Sequence, residues 1–249
     1  MNQLLQTIFV SNQVEDDEGN SLPLHSHTKE KQCEFIEGII ADTKPTSTLE
    51  IGLAYGISTL AILDALSKLH QPFRHNVIDP YQSAWSNIGL SYIKKSGHSD
   101  KVTFWPKFSD EVLPKLYYEN YKIQLAYIDS TKVFDVLLVD VYFITKILEL
   151  NGILILDDCG FPGIRLLVRF LSQHPSYRIY KGFNKDKFSK KRTFAMAATY
   201  FIADHLPFKK QVLSNYNFAK DEVLGVDYHC IAFQKIKEDD RNWDWHRPF

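Results

Sequence analysis

A short segment with the pattern of a strand, residues 48–51, leads directly into a loop with the residue types of a ligand site. The loop reads Gly-Leu-Ala-Tyr-Gly, from Gly52 to Gly56. Because glycine has no Cβ, these two positions permit a tight turn and a close approach of a ligand to the backbone. The helix predicted to follow offers free N–H groups and a positive dipole end to a carboxylate. Glu50 would repel a pyrophosphate but attract an ammonium group, so the pattern favours a cofactor that carries an amino acid over a dinucleotide.

Further acids and hydroxyls follow the next apolar runs, where a doubly wound sheet binds its ligands. Asp79 ends the second run and can accept hydrogen bonds from ribose hydroxyls. Ser109 follows the third run, where its hydroxyl could contact an adenine edge. The loop lacks the G-x-G-x-x-G motif, which disfavours a nicotinamide-dependent dehydrogenase. The predicted cofactor contacts are Glu50, Gly52, Ala54, Gly56, Ser58, Asp79, Ser109 and Asp129.

Three carboxylates stand at the ends of the fourth and fifth apolar runs. Asp129 ends the fourth run and precedes Lys132, while Asp157 and Asp158 end the fifth. Adjacent carboxylates repel each other unless a cation or protons neutralise them, and oxygen ligands of this kind suit magnesium, calcium or manganese. A bound divalent ion would lower the pKa of an acceptor hydroxyl and orient it. The alternative is that the acids cap helices or face solvent and that Lys132 pairs with one of them, without a metal.

Alternating strands and helices must position these residues. The periodicity of apolar residues predicts strands at 48–51, 76–78, 102–105, 123–128, 152–156, 177–180 and 228–234. It predicts helices at 31–41, 57–69, 81–95, 109–118 (with Ser109 as the N-cap), 134–150 and 164–173. This alternation predicts an α/β fold of the doubly wound, Rossmann-like type, with a mainly parallel seven-stranded sheet and helices on both faces.

The chain is predicted to form a single domain, residues 1–249, with four parts. Residues 1–45 are an N-terminal arm, irregular to residue 30 and then helical, and residues 46–182 are the cofactor-binding core. His25 and His27 of the arm either face solvent, as most loop histidines do, or line an acceptor site. Residues 183–224 are an insertion with a basic cluster at 185–192 and an apolar stretch at 194–205. Residues 225–249 hold the closing strand and an aromatic tail predicted to pack on the core or across a homodimer.

The composition excludes several classes of protein. A formal net charge of −1 gives no overall field that would attract nucleic acid or an anionic membrane. No run of about 18 apolar residues occurs, so no membrane span is predicted, and the first residues lack the basic region of a signal peptide. Three scattered cysteines form neither a disulfide framework nor a zinc motif. We therefore predict a cytoplasmic protein without a nucleic-acid or membrane partner.

Four segments resemble the class I S-adenosylmethionine-dependent methyltransferases. They read TLEIGLAYGISTLAILDAL, VIDPYQ, SDEVLPKL and ELNGILILDD, and the likeness extends over about residues 31–180. It is closest to the small-molecule O-methyltransferases typified by catechol and macrolide-sugar enzymes. The resemblance implies that the methionine part of the cofactor binds at Glu50, Gly52 and Gly56, and that Asp79 holds the ribose.

The resemblance also implies roles for the second set of acids. Catechol-type enzymes carry Asp-x-x-Lys and then Asp-Asn, whereas sugar-modifying relatives carry Asp-Gly-x-His and then Asp-Asp; this chain mixes the two patterns. By this likeness Asp129, Asp157 and Asp158 would bind a divalent cation such as Mg²⁺. Lys132 would be the general base, which requires a depressed pKa. The expected activity is metal-assisted O-methylation of a small hydroxylated metabolite; the alternatives are a metal-free methyltransferase and a non-catalytic cofactor-binding module or partner subunit.

Overall fold

The computed structural model describes residues 2–184 and 221–246. Its strands are β1 (Gln13–Glu15), β2 (Ser21–Pro23), β3 (Ser47–Ile51), β4 (Arg74–Ile78), β5 (Val102–Trp105), β6 (Ile123–Ile128), β7 (Leu148–Leu156), β8 (Tyr177–Phe183) and β9 (Cys230–Lys235). Its helices are α1 (Gln3–Ser11), α2 (Glu30–Thr43), α3 (Ile57–Ser67), α4 (Ile88–Lys95), α5 (Ser109–Tyr118), α6 (Phe134–Ile147), α7 (Pro162–Gln173) and α8 (Asp221–Leu224).

Seven of these strands form one sheet in the order β5-β4-β3-β6-β7-β9-β8. β3 pairs in parallel with both β4 and β6, and β6 continues in parallel to β7, whereas β9 is antiparallel to β7 and β8. The predicted mainly parallel, seven-stranded sheet is therefore confirmed. Strand order reverses between β3 and β6, and the register aligns their last residues, Ile51 and Ile128. Such a switch point opens a crevice for ligands.

Helices cover both faces of the sheet, as predicted. On one face Ala126 and Ile128 belong to a core shared with α5, α6 and α7. On the other face Leu125 and Tyr127 belong to a core shared with α2 and α3. Successive residues of a strand point to opposite faces, so the apolar run of β6 is buried from both sides. This burial holds the strand ends, and the acids that follow them, in fixed positions.

Three details of the predicted helices were wrong. The helix predicted at 81–95 is a 3₁₀ turn (Gln82–Trp85) followed by α4, because Ser86 and Asn87 adopt positive φ angles of 51° and 53° and interrupt the helix. Ser109 is not an N-cap: Phe108 holds the extended cap position and Ser109 is the first helical residue. The helix predicted to reach residue 150 ends at Ile147, because β7 already pairs with β6 from Leu148.

The N-terminal arm is more ordered than the sequence suggested. Where an irregular segment was predicted, α1 and the β1–β2 hairpin are present. Leu5, Ile8 and Val14 are buried in a core that also contains Leu60 and Ala61 of α3. This packing fixes the segment that leads into α2.

Most of the predicted insertion, including the basic cluster at 185–192 and the stretch at 194–205, lies outside the described residues. The described residues resume at α8, where Asp221 forms ion pairs with Arg165 and Arg169 of α7. In the tail, the Trp245 ring lies 6.3 Å from that of Phe170, so this aromatic packs on the core. Across residues 2–184 and 221–246, no helix combines the length and apolar character needed to span a bilayer.

Candidate functional site

The loop between β3 and α3 fits tightly against the end of β6. Gly52 has a φ of +100°, and a Cβ added to it would lie 2.1 Å from the carbonyl oxygen of Asp129. Gly56 has a φ of +78° and faces Gly89 of α4, whose Cα would lie 3.1 Å from an added Cβ. Side chains are disfavoured at both φ values, and the contact at Gly52 leaves no room for a Cβ. Both predicted glycine positions thus have a structural requirement for glycine.

Asp79 anchors this loop from the end of β4. Its Oδ2 accepts hydrogen bonds from the backbone N–H groups of Leu53 (2.8 Å) and Ala54 (3.0 Å), and its Oδ1 accepts one from Tyr81 (2.7 Å). Gln82 donates to the Ala54 carbonyl (3.0 Å) and to Asp79 Oδ2 (3.2 Å). A ribose that bound here would therefore hydrogen-bond to a carboxylate that also accepts hydrogen bonds from the loop. Sequence reasoning missed the anchoring role and Gln82, because backbone partners leave no residue-type signal.

Glu50 does not reach the ligand crevice. It is fully buried, and its carboxylate accepts hydrogen bonds from Ser58 and from Thr59 (2.5 Å), with His75 Nε2 at 3.1 Å. The Glu50 side chain thus points towards α3, and its predicted contact with a ligand ammonium stays a prediction. Its predicted neighbour Ser58 does line the crevice.

Two cavities open at the carboxyl ends of β3 and β6. The first has a volume of about 580 Å³ and the second about 560 Å³. They meet at five residues that line both of them: Gly52, Ala54, Trp85, Asp129 and Ser130. Because the two cavities adjoin at these residues, a molecule in one cavity can place its reacting end against that of a molecule in the other.

The second cavity has the character of a nucleoside site. Asp79 and Ser109 lie in its lining together with apolar groups from Ile78, Pro80 and Val136. The rings of Tyr81 and Phe108, which also line it, meet edge to face with centroids 5.7 Å apart. The structure thus places the predicted ribose and adenine contacts in one chamber.

One wall of the first cavity carries the second set of predicted residues. The Lys132 ammonium lies between two carboxylates, 2.9 Å from Asp129 Oδ1 and 3.0 Å from Asp158 Oδ2. Burial favours the neutral amine, but the two carboxylates outweigh it, and the pKa of Lys132 is raised. This direction is opposite to the depressed pKa that a lysine base requires, and the general-base role of Lys132 stays a prediction.

Asp157 lies deeper and is held by residues far away in the chain. Its two oxygens accept hydrogen bonds from Gln32 Nε2 (2.8 and 2.9 Å), and Oδ2 also accepts one from the Tyr127 hydroxyl (2.7 Å). The Asp158 N–H donates to Oδ1 (2.7 Å). Burial, with the Asp129 charge next in effect, raises the pKa of Asp157. Gln32 and Tyr127 were not predicted, since nothing in their local sequence marks them.

The metal-capable group differs from the predicted one. Oxygens of Asp157 and Asp158 and a ring nitrogen of His229 lie within 4.8 Å of one another, whereas Asp129 pairs with Lys132. Two carboxylates and an imidazole fit a divalent cation. Asp158 and His229 face the cavity, while Asp157 would have to give up one of its present hydrogen bonds. His229 was missed because it immediately precedes β9, far from the acids in sequence.

The N-terminal arm contributes part of the first cavity's wall. His27, Thr28 and Lys29 line it. His25 instead packs against Tyr55, whose hydroxyl lies 2.9 Å from His25 Nε2. Of the two arm histidines, His27 is the one placed to meet an acceptor.

Comparison with known proteins agrees with this geometry. Residues 49–159 match the family model described as a methyltransferase domain. An O-methyltransferase from Bacillus cereus in complex with S-adenosylhomocysteine superposes with a TM-score of 0.60 at 18% identity, covering 72% of this chain and 83% of that one. TomG, an O-methyltransferase from Streptomyces achromogenes involved in tomaymycin synthesis, gives 0.57 at 15% identity, with 72% and 82% covered. CalS11, a TDP-rhamnose 3′-O-methyltransferase, gives 0.50 at 16% identity, with 64% and 79% covered.

No curated protein sequence matches the chain. The family match and the sheet order nevertheless agree: residues 49–159 match the model of a methyltransferase domain, and they contain the central parallel strands of the sheet. The fold is the one found in S-adenosylmethionine-dependent O-methyltransferases. The recognition made from the sequence motifs is thereby confirmed at the level of domain and fold.

Proposed function

We propose that this chain transfers the methyl group of S-adenosylmethionine to a hydroxyl group of a small molecule. The observation that carries the proposal is the pair of cavities that meet at the ends of β3 and β6. A donor in one chamber and an acceptor in the other would meet at the shared wall, as an in-line displacement requires.

The cofactor would occupy the second cavity and extend across the junction as far as Ser58, which lines the first cavity. Ser109 and Asp79 would contact its adenosine, and Gly52 and Ala54 would let its methionine part approach the backbone. Ser58 and the N-terminal end of α3, which begins after Gly56, would face the carboxylate. Since Glu50 is turned away, Asp129 is the carboxylate at the junction that would attract the cofactor's ammonium group.

The acceptor would bind in the first cavity, beside Lys132. An ammonium group there can donate a hydrogen bond to the acceptor oxygen and stabilise negative charge that develops on it. The present pairing with Asp129 and Asp158 holds Lys132 in position. We therefore assign Lys132 an electrostatic role in place of the general-base role expected from the sequence. The proton that the acceptor hydroxyl loses would pass to the Asp129 carboxylate, which lines both cavities where they meet.

A divalent cation would be held by Asp157, Asp158 and His229. When bound, it would supply positive charge that lowers the pKa of a nearby hydroxyl. Carboxylates suit Mg²⁺ or Mn²⁺, and the imidazole extends the range to softer metals. Gln32 would keep the Asp157 carboxylate oriented, as partners of metal ligands commonly do.

The proposal is tested in two steps. Purified protein is first melted with and without S-adenosylhomocysteine, and we expect the ligand to raise the melting temperature. Methyl transfer from labelled S-adenosylmethionine to a panel of hydroxylated small molecules is then measured, with and without EDTA. Binding without turnover across the panel would favour a cofactor-binding module, and turnover that is insensitive to EDTA would remove the metal from the proposal.

The proposed setting is the cytoplasm, with a small molecule as the acceptor. Cys33, Cys159 and Cys230 are free thiols, which supports a reducing compartment.

A further inference from the structure

Asp140 is a buried carboxylate that the proposed reaction does not use. It lies on α6 with 0% of its surface exposed, and within residues 2–184 and 221–246 neither carboxylate oxygen has a hydrogen-bond partner. Buried polar groups are almost always hydrogen-bonded, and an unpaired buried carboxylate is costly. Burial raises its pKa to about 6; the Ser109 hydroxyl acts in the opposite direction, and the Asp110 carboxylate acts in the same direction as burial. A carboxylate in this position is therefore expected to have a function that involves a hydrogen-bond donor.

The position of Asp140 points to the second cavity. It follows Val136 by one turn of α6, on the same side of the helix, and Val136 lines that cavity. The neighbouring polar group, Ser109, begins α5 and lines the cavity as well. The Ser109 hydroxyl is close enough to influence Asp140 but does not have hydrogen-bond geometry to either oxygen. Asp140 therefore lies next to Ser109, on the side of α6 from which Val136 lines the cavity.

A serine between a carboxylate and a ligand has a restricted choice of partners. Its hydroxyl has one proton to donate and two lone pairs that accept. An ionised carboxylate only accepts, so a rotation of the Ser109 side chain towards Asp140 would direct the hydroxyl proton to the carboxylate and leave the lone pairs for the ligand. A hydrogen-bond donor of the ligand can then bind to the Ser109 oxygen. A hydrogen-bond acceptor of the ligand at the same place is rejected, because neither its own oxygen nor that of Ser109 has a proton for the hydrogen bond.

We propose that Asp140 is a positioning residue that turns the Ser109 hydroxyl into a hydrogen-bond acceptor for the exocyclic amine of the cofactor's adenine. This rests on the proposed function, because it takes the second cavity as the adenosine site. The apolar lining and the Tyr81 and Phe108 rings provide the flat surfaces that a purine needs. Hypoxanthine, which has a carbonyl oxygen where adenine has the amine, is the base that this arrangement rejects.

The test compares two ligands by isothermal titration calorimetry: S-adenosylhomocysteine and S-inosylhomocysteine, in which hypoxanthine replaces adenine. We expect the wild-type protein to bind the adenine form more tightly by about tenfold or more. The Asp140→Asn amide can donate to Ser109, so this ratio should fall towards one. Ser109→Ala, which leaves the carboxylate in place, should lose the ratio too. Asp135→Asn, an exposed acid of the same helix, is the matched control and should keep it.

Melting temperatures separate positioning from a merely structural role. Since Asp140→Asn removes an unpaired buried charge, it should melt no lower than the wild type while losing discrimination. A lower melting temperature with the ligand ratio unchanged would overturn the inference, as would equal binding of the two ligands by the wild-type protein. Failure of the wild type to bind either ligand would instead overturn the proposed function itself.

Discussion

Replacement of Gly52 by alanine tests whether contact between the cofactor loop and the end of β6 matters. The matched control is Gly97→Ala, because Gly97 also has a positive φ (+76°) but has nothing within 4 Å of an added Cβ. A left-handed backbone costs a non-glycine residue about 1–2 kcal/mol, and the control should lose only that. At Gly52 the added Cβ would lie 2.1 Å from the Asp129 carbonyl oxygen, and overpacking of this kind costs about 1–3 kcal/mol more.

These costs translate into melting temperatures. For a chain of this size each 1 kcal/mol lowers the melting temperature by about 2–4 °C. We therefore expect a loss of about 2–8 °C for Gly97→Ala and about 4–20 °C for Gly52→Ala, measured by differential scanning fluorimetry. Affinity for S-adenosylhomocysteine should fall at least about tenfold in Gly52→Ala only, because the loop must move. Equal melting temperatures and equal affinities in the two variants would refute the reasoning from the Asp129 contact.

Other predictions concern stability, pH and metal binding. Lys235→Met should cost about 3 kcal/mol in urea unfolding, because the buried ammonium donates to the carbonyls of Thr145 (2.9 Å) and Leu148 (2.8 Å) at the end of α6; a loss no larger than that of the exposed Lys237→Met would contradict this. The pKa of Asp140 is raised from 3.8 to about 6 by burial, so the folded state retains this proton longer and stability falls as pH rises from about 4 to about 6. Asp140→Asn should remove about 3 kcal/mol of that fall, and parallel curves of unfolding free energy against pH would disprove it. Asp158→Asn should weaken Mn²⁺ binding at least about tenfold by calorimetry; unchanged affinity would remove Asp158 from the metal site.

The sequence predicted the sheet well because its signal is local. Runs such as residues 125–128 are apolar and continuous, because the strand is covered on both faces. The acids that follow such runs were therefore placed correctly at one rim. The broken helix at Ser86 and Asn87 was missed because the interruption depends on the backbone conformation of two ordinary polar residues.

The chemistry of the site was harder to predict, because it depends on distances between separate segments. Gln32 contacts Asp157 across 125 positions of sequence, and only the folded chain brings His229 to the acids. The charge of Lys132 likewise follows from having two carboxylates within 3.0 Å. The motif shows that a lysine follows an aspartate in the sequence, but it does not show which other carboxylate lies beside that lysine in the folded chain.

The place of β9 in the sheet has a consequence for how the protein is made. β9 is the last strand in chain order among the described residues, yet it lies between β7 and β8. During synthesis β8 therefore emerges before the strand that joins it to the sheet, and until β9 inserts, β7 presents an open edge. Open edges pair readily with other chains, and contacts between distant segments form slowly. We expect nascent chains that stop before Cys230 to aggregate, whereas addition of residues 230–235 should convert them to a soluble form.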